Sequence, residues 1–201
     1  MERKPLTPPQ TEKFADLIRV ALRKNNPLSD EAQDLIENHW DELKDEMLEA
    51  VNGVVKRAIE RKRNTIIRAV KVNRSRLPQE MLDATGRAKY LNDSVVEGIP
   101  RGEGNEEVTV EFFKLGRYVS DNELEKEYTK RGLTPDPYAV AAVNEADPAF
   151  ADEHPNGVHW KDENGRWCYI TFDRYCGGRG VGVSLHDLGW YGDWWFGGVR
   201  K

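Results

Sequence analysis

The sequence predicts an α+β fold, in which an N-terminal helical hairpin (residues 1–63) is followed by a compact, largely antiparallel β domain with two or three helices (residues 64–201). Three observations favour this class. Apolar residues recur with a helical period of about 3.6 up to position 63. From Asn64 the period changes towards two, which is typical of half-buried strands. Ten of the 17 glycines and five of the six tryptophans follow residue 156, which predicts a Gly/Trp-rich C-terminal sheet.

The helical hairpin is delimited by capping residues. Thr7 and Gln10 form a capping box, with Pro8 at the first helical position. The sequence Asn25-Asn26-Pro27 ends the first helix, and Ser29 caps the second.

The second helix carries an apolar seam with heptad spacing, made of Ile36, Trp40, Leu43, Met47, Ala50 and Val54. Residues 28–50 contain nine acids and one base, whereas residues 56–76 contain nine bases and one acid. An antiparallel homodimer through residues 30–62 would place these opposite charges side by side. The alternative is a monomer in which the helix packs on its own domain.

The β domain opens with a β-branched strand over residues 65–72, followed by a helix over residues 77–84 with Gly86 beyond its end. Residues 92–107 are rich in glycine and predict a loop. Apolar and polar residues alternate over Val108–Phe112, which indicates a half-buried strand.

The best-specified element is a helix over Ser120–Arg131. Ser120 and Glu123 form a capping box, and Gly132 stands where a left-handed cap is needed. A further helix is expected from Asp136-Pro137 to Val143, and the residues after it are expected to be strand and turn.

A hairpin is predicted near the C-terminal end. Strands over residues 158–161 and 166–172 flank Asp162–Gly165, whose Asn-Gly pair suits a tight turn. Two more strands are expected over residues 181–185 and 194–199.

Strand parity places Cys168, Ile170 and Phe172 on the core face of this hairpin and Trp167 and Tyr169 on the opposite face. Aromatic side chains there would form a recognition patch, since they bring large contact area at a small entropic cost. The alternative is that a second layer buries them. The candidate ligand- or partner-binding residues are Trp160, Trp167, Tyr169, Trp190, Tyr191 and Trp194.

Residues 115–201 resemble the C-type-lectin-like fold, as found in formylglycine-generating enzymes and retroelement variable proteins, and also small uncharacterised bacterial or phage-like proteins. The resemblance is carried by Arg131–Asp136 ahead of a helix, by the Trp-containing hairpin and by the closing residues Trp195–Lys201. The Glu-Pro-Asn and Trp-Asn-Asp signatures and the four cysteines of typical lectins are absent from the sequence. The resemblance therefore implies a fold, and it implies neither calcium-dependent sugar binding nor the oxidase activity.

Metal and catalytic sites are weakly indicated. His159, Cys168, Cys176 and His186 are separated by eight, seven and nine residues, whereas zinc sites use closely spaced ligand pairs. One alternative function is a thiol enzyme that uses Cys176 as its nucleophile and His186 as the base. Another is a hydrolase, whose candidate carboxylates are Asp162, Glu163, Asp173, Asp187 and Asp193. We expect no metal, no cofactor and no catalytic residue.

A basic segment offers a second alternative, a nucleic-acid-associated accessory protein. Its candidate phosphate contacts are Arg61, Lys62, Arg63, Arg68, Lys71, Arg74 and Arg76. The competing interpretation is that these bases neutralise the acidic helix, which also suits a net charge of −5.

Partner and location follow from composition. Apolar runs reach about five residues, whereas a membrane span needs about 20. Two cysteines and no visible secretory signal favour the cytoplasm.

The leading hypothesis is a non-enzymatic module that binds a protein or small ligand through its Gly/aromatic surface.

Overall fold

The computed structural model describes residues 62–102, 107–175 and 177–200, together with residues 9, 12, 13, 16, 46 and 49–55. The chain divides into two units, Met1–Ala58 and Ile59–Lys201. Most of the predicted hairpin and most of the predicted dimer interface (residues 30–62) lie outside the described residues, so both stay predictions. Within the described ranges, no helix combines the length and the apolar composition that crossing a membrane requires.

The second unit is an α+β fold, as predicted. Its strands are β1 (Thr65–Lys71), β2 (Ala88–Leu91), β3 (Glu107–Lys114), β4 (Leu133–Pro135), β5 (Asn156–Lys161), β6 (Trp167–Tyr175), β7 (Gly178–Leu185) and β8 (Trp195–Arg200). Its helices are α1 (Pro78–Ala84), α2 (Asp93–Glu97), α3 (Asp121–Arg131), α4 (Pro137–Ala146) and α5 (Phe150–Glu153).

The eight strands within the described residues join one sheet in the order β1-β3-β8-β5-β6-β7-β2, and β4 pairs with the second half of β8. The pairings are antiparallel except for β5 with β8 and β2 with β7, which are parallel. The sheet is therefore largely antiparallel, as the alternating sequence pattern predicts.

The sheet buries both of its faces in part. On one face, α1, α2, α4 and α5 contribute side chains to the main hydrophobic core. On the other face, α3 covers a smaller cluster. Phe112 belongs to the first cluster and its neighbour Phe113 to the second, because successive side chains of a strand point to opposite faces.

Helix α3 has the ends that its sequence predicts. The Ser120 hydroxyl accepts a hydrogen bond from the backbone N–H of Glu123, whose side chain returns to the Ser120 backbone. Gly132 closes the helix in the left-handed conformation at φ 65°. Asp121, the first residue of α3, therefore has a fixed position, which matters for the site below.

Two predictions about the irregular segments were wrong. The loop expected over residues 92–107 contains α2, because Val95 and Val96 are buried in the main core and Gly98 ends the turn. The segment expected to be only strand and turn contains α5, whose Phe150 is buried in the same core. Both helices are too short to show a sequence period, so only packing reveals them.

Candidate binding surface

Strand β6 presents its aromatic residues on the face opposite the main core. Cys168, Ile170 and Phe172 are buried in the main core, while Tyr169 packs against the cluster under α3. Trp167 and Tyr169 are half-buried. The residues of β6 that were expected to face the core, and those expected on the opposite face, are therefore found there.

A buried carboxylate organises this second face. Asp121 Oδ1 lies 2.7 Å from His159 Nδ1 and accepts a hydrogen bond from Trp190 Nε1 at 2.8 Å. Its other oxygen, Oδ2, lies 2.6 Å from His186 Nδ1. Asp121 is 6% exposed, so one buried side chain ties together α3, β5 and the segment after β7.

The three hydrogen bonds keep Asp121 ionised. Burial by itself raises the pKa of a carboxyl group, but the bonds from His159, His186 and Trp190 outweigh it and hold the pKa of Asp121 well below its usual range. An ionised carboxylate only accepts hydrogen bonds, so we assign a proton to Nδ1 of both histidines.

His159 is enclosed between aromatic rings. It stacks on Trp167 with centroids 4.4 Å apart and an interplanar angle of 8°, and Tyr128 lies on it at 5.7 Å and 24°. Burial lowers the pKa of His159, although Asp121 and Glu125 oppose this effect. His159 is therefore held as a neutral, structural imidazole at pH 7.

The segment over residues 186–194 is hydrogen-bonded to the residues just before α3. Val119 and Trp190 exchange backbone hydrogen bonds at 3.0 and 2.8 Å. Gly189 lies beneath the exposed ring of Tyr118, and a Cβ there would make that ring turn aside. A Cβ on Gly192 would stand 2.7 Å from the backbone N of Arg117, which cannot move in the same way, so a glycine is needed at position 192.

Three large side chains project into solvent from these two segments. The exposed fractions of Tyr118, Leu188 and Tyr191 are 59%, 75% and 70%. The rings of Tyr118 and Tyr191 contact each other edge to face, with centroids 5.8 Å apart. We call these three residues the loop surface.

The aromatic residues singled out from sequence have three different environments. Trp160 is buried in the main core rather than on the surface, because it lies two positions after Val158 on β5 and points to the same face of the sheet. Trp190 is buried as a partner of Asp121. Trp167, Tyr169 and Trp194 are half-buried, and Tyr191 is exposed.

Sequence reasoning missed Asp121 as a site residue, as well as Tyr118 and Leu188. Asp121 is separated from His159 by 38 positions and from His186 by 65, so no local spacing signals their convergence. One local signal exists: Val119 precedes the cap residue Ser120 and packs in the same cluster as Leu124, the arrangement called a hydrophobic staple, which fixes the entry of the chain into α3.

The zinc ligands considered from sequence do not converge as a set. His159 and His186 meet at Asp121, whereas Cys168 lies in the main core on the other face. Cys176 falls outside the described residues. Within the part of the chain that the structure describes, no group of three His, Cys, Asp or Glu side chains is placed to hold a metal ion.

The carboxylates considered for hydrolysis are dispersed. Asp162 accepts backbone hydrogen bonds within its own turn and pairs with Arg166. Asp173 is half-buried, and burial raises its pKa despite the nearby Arg87. The remaining three, Glu163, Asp187 and Asp193, are exposed.

Several basic residues of the candidate nucleic-acid segment bind carboxylates of their own domain. Arg74 pairs with Asp136 at 2.6 Å, Arg76 with Glu145 at 2.6 Å and Lys71 with Glu107 at 3.4 Å. Arg68 lies over the ring of Phe150 at 4.9 Å. Lys62 and Arg63 are exposed, and Arg61 lies outside the described residues.

A cavity of about 510 Å³ opens between α1 and α2. It is lined by Leu77, Pro78, Gln79, Asp93, Val96, Glu97 and Arg101. None of these residues belongs to the loop surface or to the network around Asp121.

Comparisons of the chain with protein-family models, with curated proteins and with solved structures find no match.

Proposed function

We propose that this protein is a non-enzymatic binding module that recognises another protein through the loop surface. The observation that carries the proposal is the exposure of Tyr118, Leu188 and Tyr191, three large side chains on two segments fastened to the domain by a buried network.

Single exposed apolar side chains are common on protein surfaces and need no explanation. Tyr118 and Tyr191 are not isolated in this way, because their rings contact each other. Tyr118 also covers Gly189, the neighbour of Leu188. Tyrosine is among the residues that dominate binding energy at protein interfaces, since its large ring has few rotatable bonds.

The network around Asp121 supports a surface that is ordered before binding. The carboxylate holds His186 and Trp190, which flank Leu188, and the Val119–Trp190 bridge holds the segment that carries Tyr118. A surface that is already in its binding conformation loses less conformational entropy when the partner binds.

The shape of the surface favours a protein partner over a small molecule. Small ligands bind in concave sites that bury most of their surface. The three side chains of the loop surface project from loops, and the cavity between α1 and α2 is lined by other residues. The C-type-lectin-like resemblance of residues 115–201 stays a prediction.

The proposal can be tested by selecting displayed random peptides on the immobilised protein. A variant with Tyr118→Ser, Leu188→Ser and Tyr191→Ser removes the loop surface. The matched control carries Ile67→Ser and Leu77→Ser, which replace side chains that are 61% and 55% exposed elsewhere. We expect wild type and control to enrich the same peptides and the triple variant to enrich none of them.

The two variants must first show wild-type circular dichroism and thermal unfolding. With folding intact, two results contradict the proposal: wild type enriches no peptide family, or the triple variant enriches the same families as wild type.

A further inference from the structure

We infer that the loop surface receives a positively charged side chain, a lysine or arginine of the partner protein. This inference rests on the proposed function and adds the chemistry of the partner.

The charges on the segment that carries Leu188 and Tyr191 are negative. Asp187 and Asp193 are both exposed, and neither forms an ion pair with a residue that the structure describes. Arg117, the chain neighbour of Tyr118, pairs with Glu123 at 3.1 Å. The loop surface is therefore flanked by two carboxylates without a matching positive charge.

Asp193 follows Tyr191 by two positions, and the Trp194 N–H donates to the Tyr191 carbonyl at 3.3 Å, which closes a turn that contains Asp193. Asp187 lies on the side towards β6. Burial raises the pKa of Tyr169, and the negative charges of Asp173 and Asp187 raise it further. The carboxylates therefore stand at opposite ends of the segment that presents Leu188 and Tyr191.

The tyrosine rings favour the same kind of partner. The face of an aromatic ring attracts a cation within about 6 Å. This domain already uses such contacts internally, with Lys161 Nζ at 4.3 Å from the Trp167 ring and the Arg131 guanidinium at 4.5 Å from the Phe113 ring. The Tyr118 and Tyr191 side chains are 59% and 70% exposed and their rings meet at 71°, so an incoming cation can reach both rings from solvent.

Other partner charges fit less well. An acidic segment would be repelled by Asp187 and Asp193, since like charges across an interface weaken binding. A purely apolar segment would desolvate these carboxylates without replacing their hydrogen bonds. A lysine or arginine supplies both a counter-charge and a cation for the rings.

The inference is tested with three fluorescent octapeptides in which leucine alternates with lysine, glutamine or glutamate. Binding to the chain of residues 1–201 is measured by anisotropy at low and at physiological ionic strength. We expect the lysine peptide to bind wild type about tenfold more tightly than the glutamine peptide. Added salt should reduce this difference in affinity, because it screens the charges. The glutamate peptide should bind most weakly.

Two charge variants identify the carboxylates responsible. Asp187→Asn with Asp193→Asn should abolish the preference for lysine over glutamine. The matched control, Glu97→Gln with Glu163→Gln, removes two exposed carboxylates elsewhere and should keep the preference.

The inference is overturned if the glutamine peptide binds wild type as tightly as the lysine peptide, or if the Asp187/Asp193 variant keeps the lysine preference. Either result leaves the proposed function standing as long as peptide selection still depends on the loop surface. If selection does not depend on the loop surface, the proposed function itself fails.

Discussion

Asp121 is the residue on which the second face of the sheet depends. It accepts three side-chain hydrogen bonds while 6% exposed, and it occupies the first position of α3, where the helix dipole favours a negative charge. An unpartnered buried donor costs about 1–3 kcal/mol. Asp121 therefore satisfies, with one side chain, three polar groups that would otherwise destabilise this face.

The pH dependence of stability is a prediction that belongs to His159. Burial lowers its folded pKa below the ordinary value of about 6.5, so below that value the unfolded chain binds more protons. The free energy of unfolding should therefore fall as the pH drops from about 6.5 through the lower folded pKa of His159. The ionised Asp121 adds stability that is present above about pH 4 and is lost below it.

Urea unfolding of wild type and of His159→Gln between about pH 7 and pH 5.5 measures this effect. Glutamine keeps a donor for Asp121 but does not titrate, so the variant should lose less stability over this range. Identical slopes for the two proteins would show that His159 is not the titrating group.

At the scale of secondary structure, the contact between α4 and β8 depends on a missing side chain. A Cβ on Gly197 would stand 2.5 Å from Val140 Cγ2 and 2.8 Å from Phe112 Cε1. Val140 and Phe112 are both completely buried, so neither has room to move aside. The glycine therefore sets how closely α4 approaches the centre of the sheet.

We expect Gly197→Ala to lower the free energy of unfolding by about 2 kcal/mol, since overpacking a core forces its neighbours to shift. The control is Gly98→Ala, where the nearest atom to an added Cβ is a carbonyl oxygen at 3.6 Å and φ is −87°. That substitution should change stability by less than about 0.5 kcal/mol. Equal effects in chemical denaturation would refute the packing argument.

At the scale of the whole molecule, the antiparallel homodimer through residues 30–62 stays a prediction. Val54, a member of the apolar seam, is 54% exposed in the single chain. A second copy that covers the seam would bury it, and would also pair the acidic block with the basic block.

Analytical ultracentrifugation at micromolar concentration should show wild type as a dimer and Leu43→Glu as a monomer, because a charge in the seam is costly to bury. Asn52→Glu, an exposed position off the seam, should remain a dimer. A monomeric wild type would end the prediction.

Much of the β domain was predictable from sequence because its signals are local. Each end of α3 is capped by residues within one turn of that end. Ser120 and Glu123 cap the first turn and Gly132 ends the last, as the sequence predicts. The hairpin turn before β6 follows from Asn164-Gly165, with Gly165 at φ 76°. The alternation in β6 separates Cys168 from Trp167 and Tyr169, because neighbouring side chains of a strand point to opposite faces.

The candidate site was decided by the tertiary structure alone. The sequence shows that tryptophans and tyrosines are concentrated near the C-terminal end, but it does not show that Trp160 faces the core while Tyr118 and Tyr191 face solvent. It also does not show that Asp121 meets His159 and His186. Capping and alternation act over a few residues, whereas these contacts depend on which strands become neighbours, such as β5 beside β8, and that choice is made by packing over the whole domain.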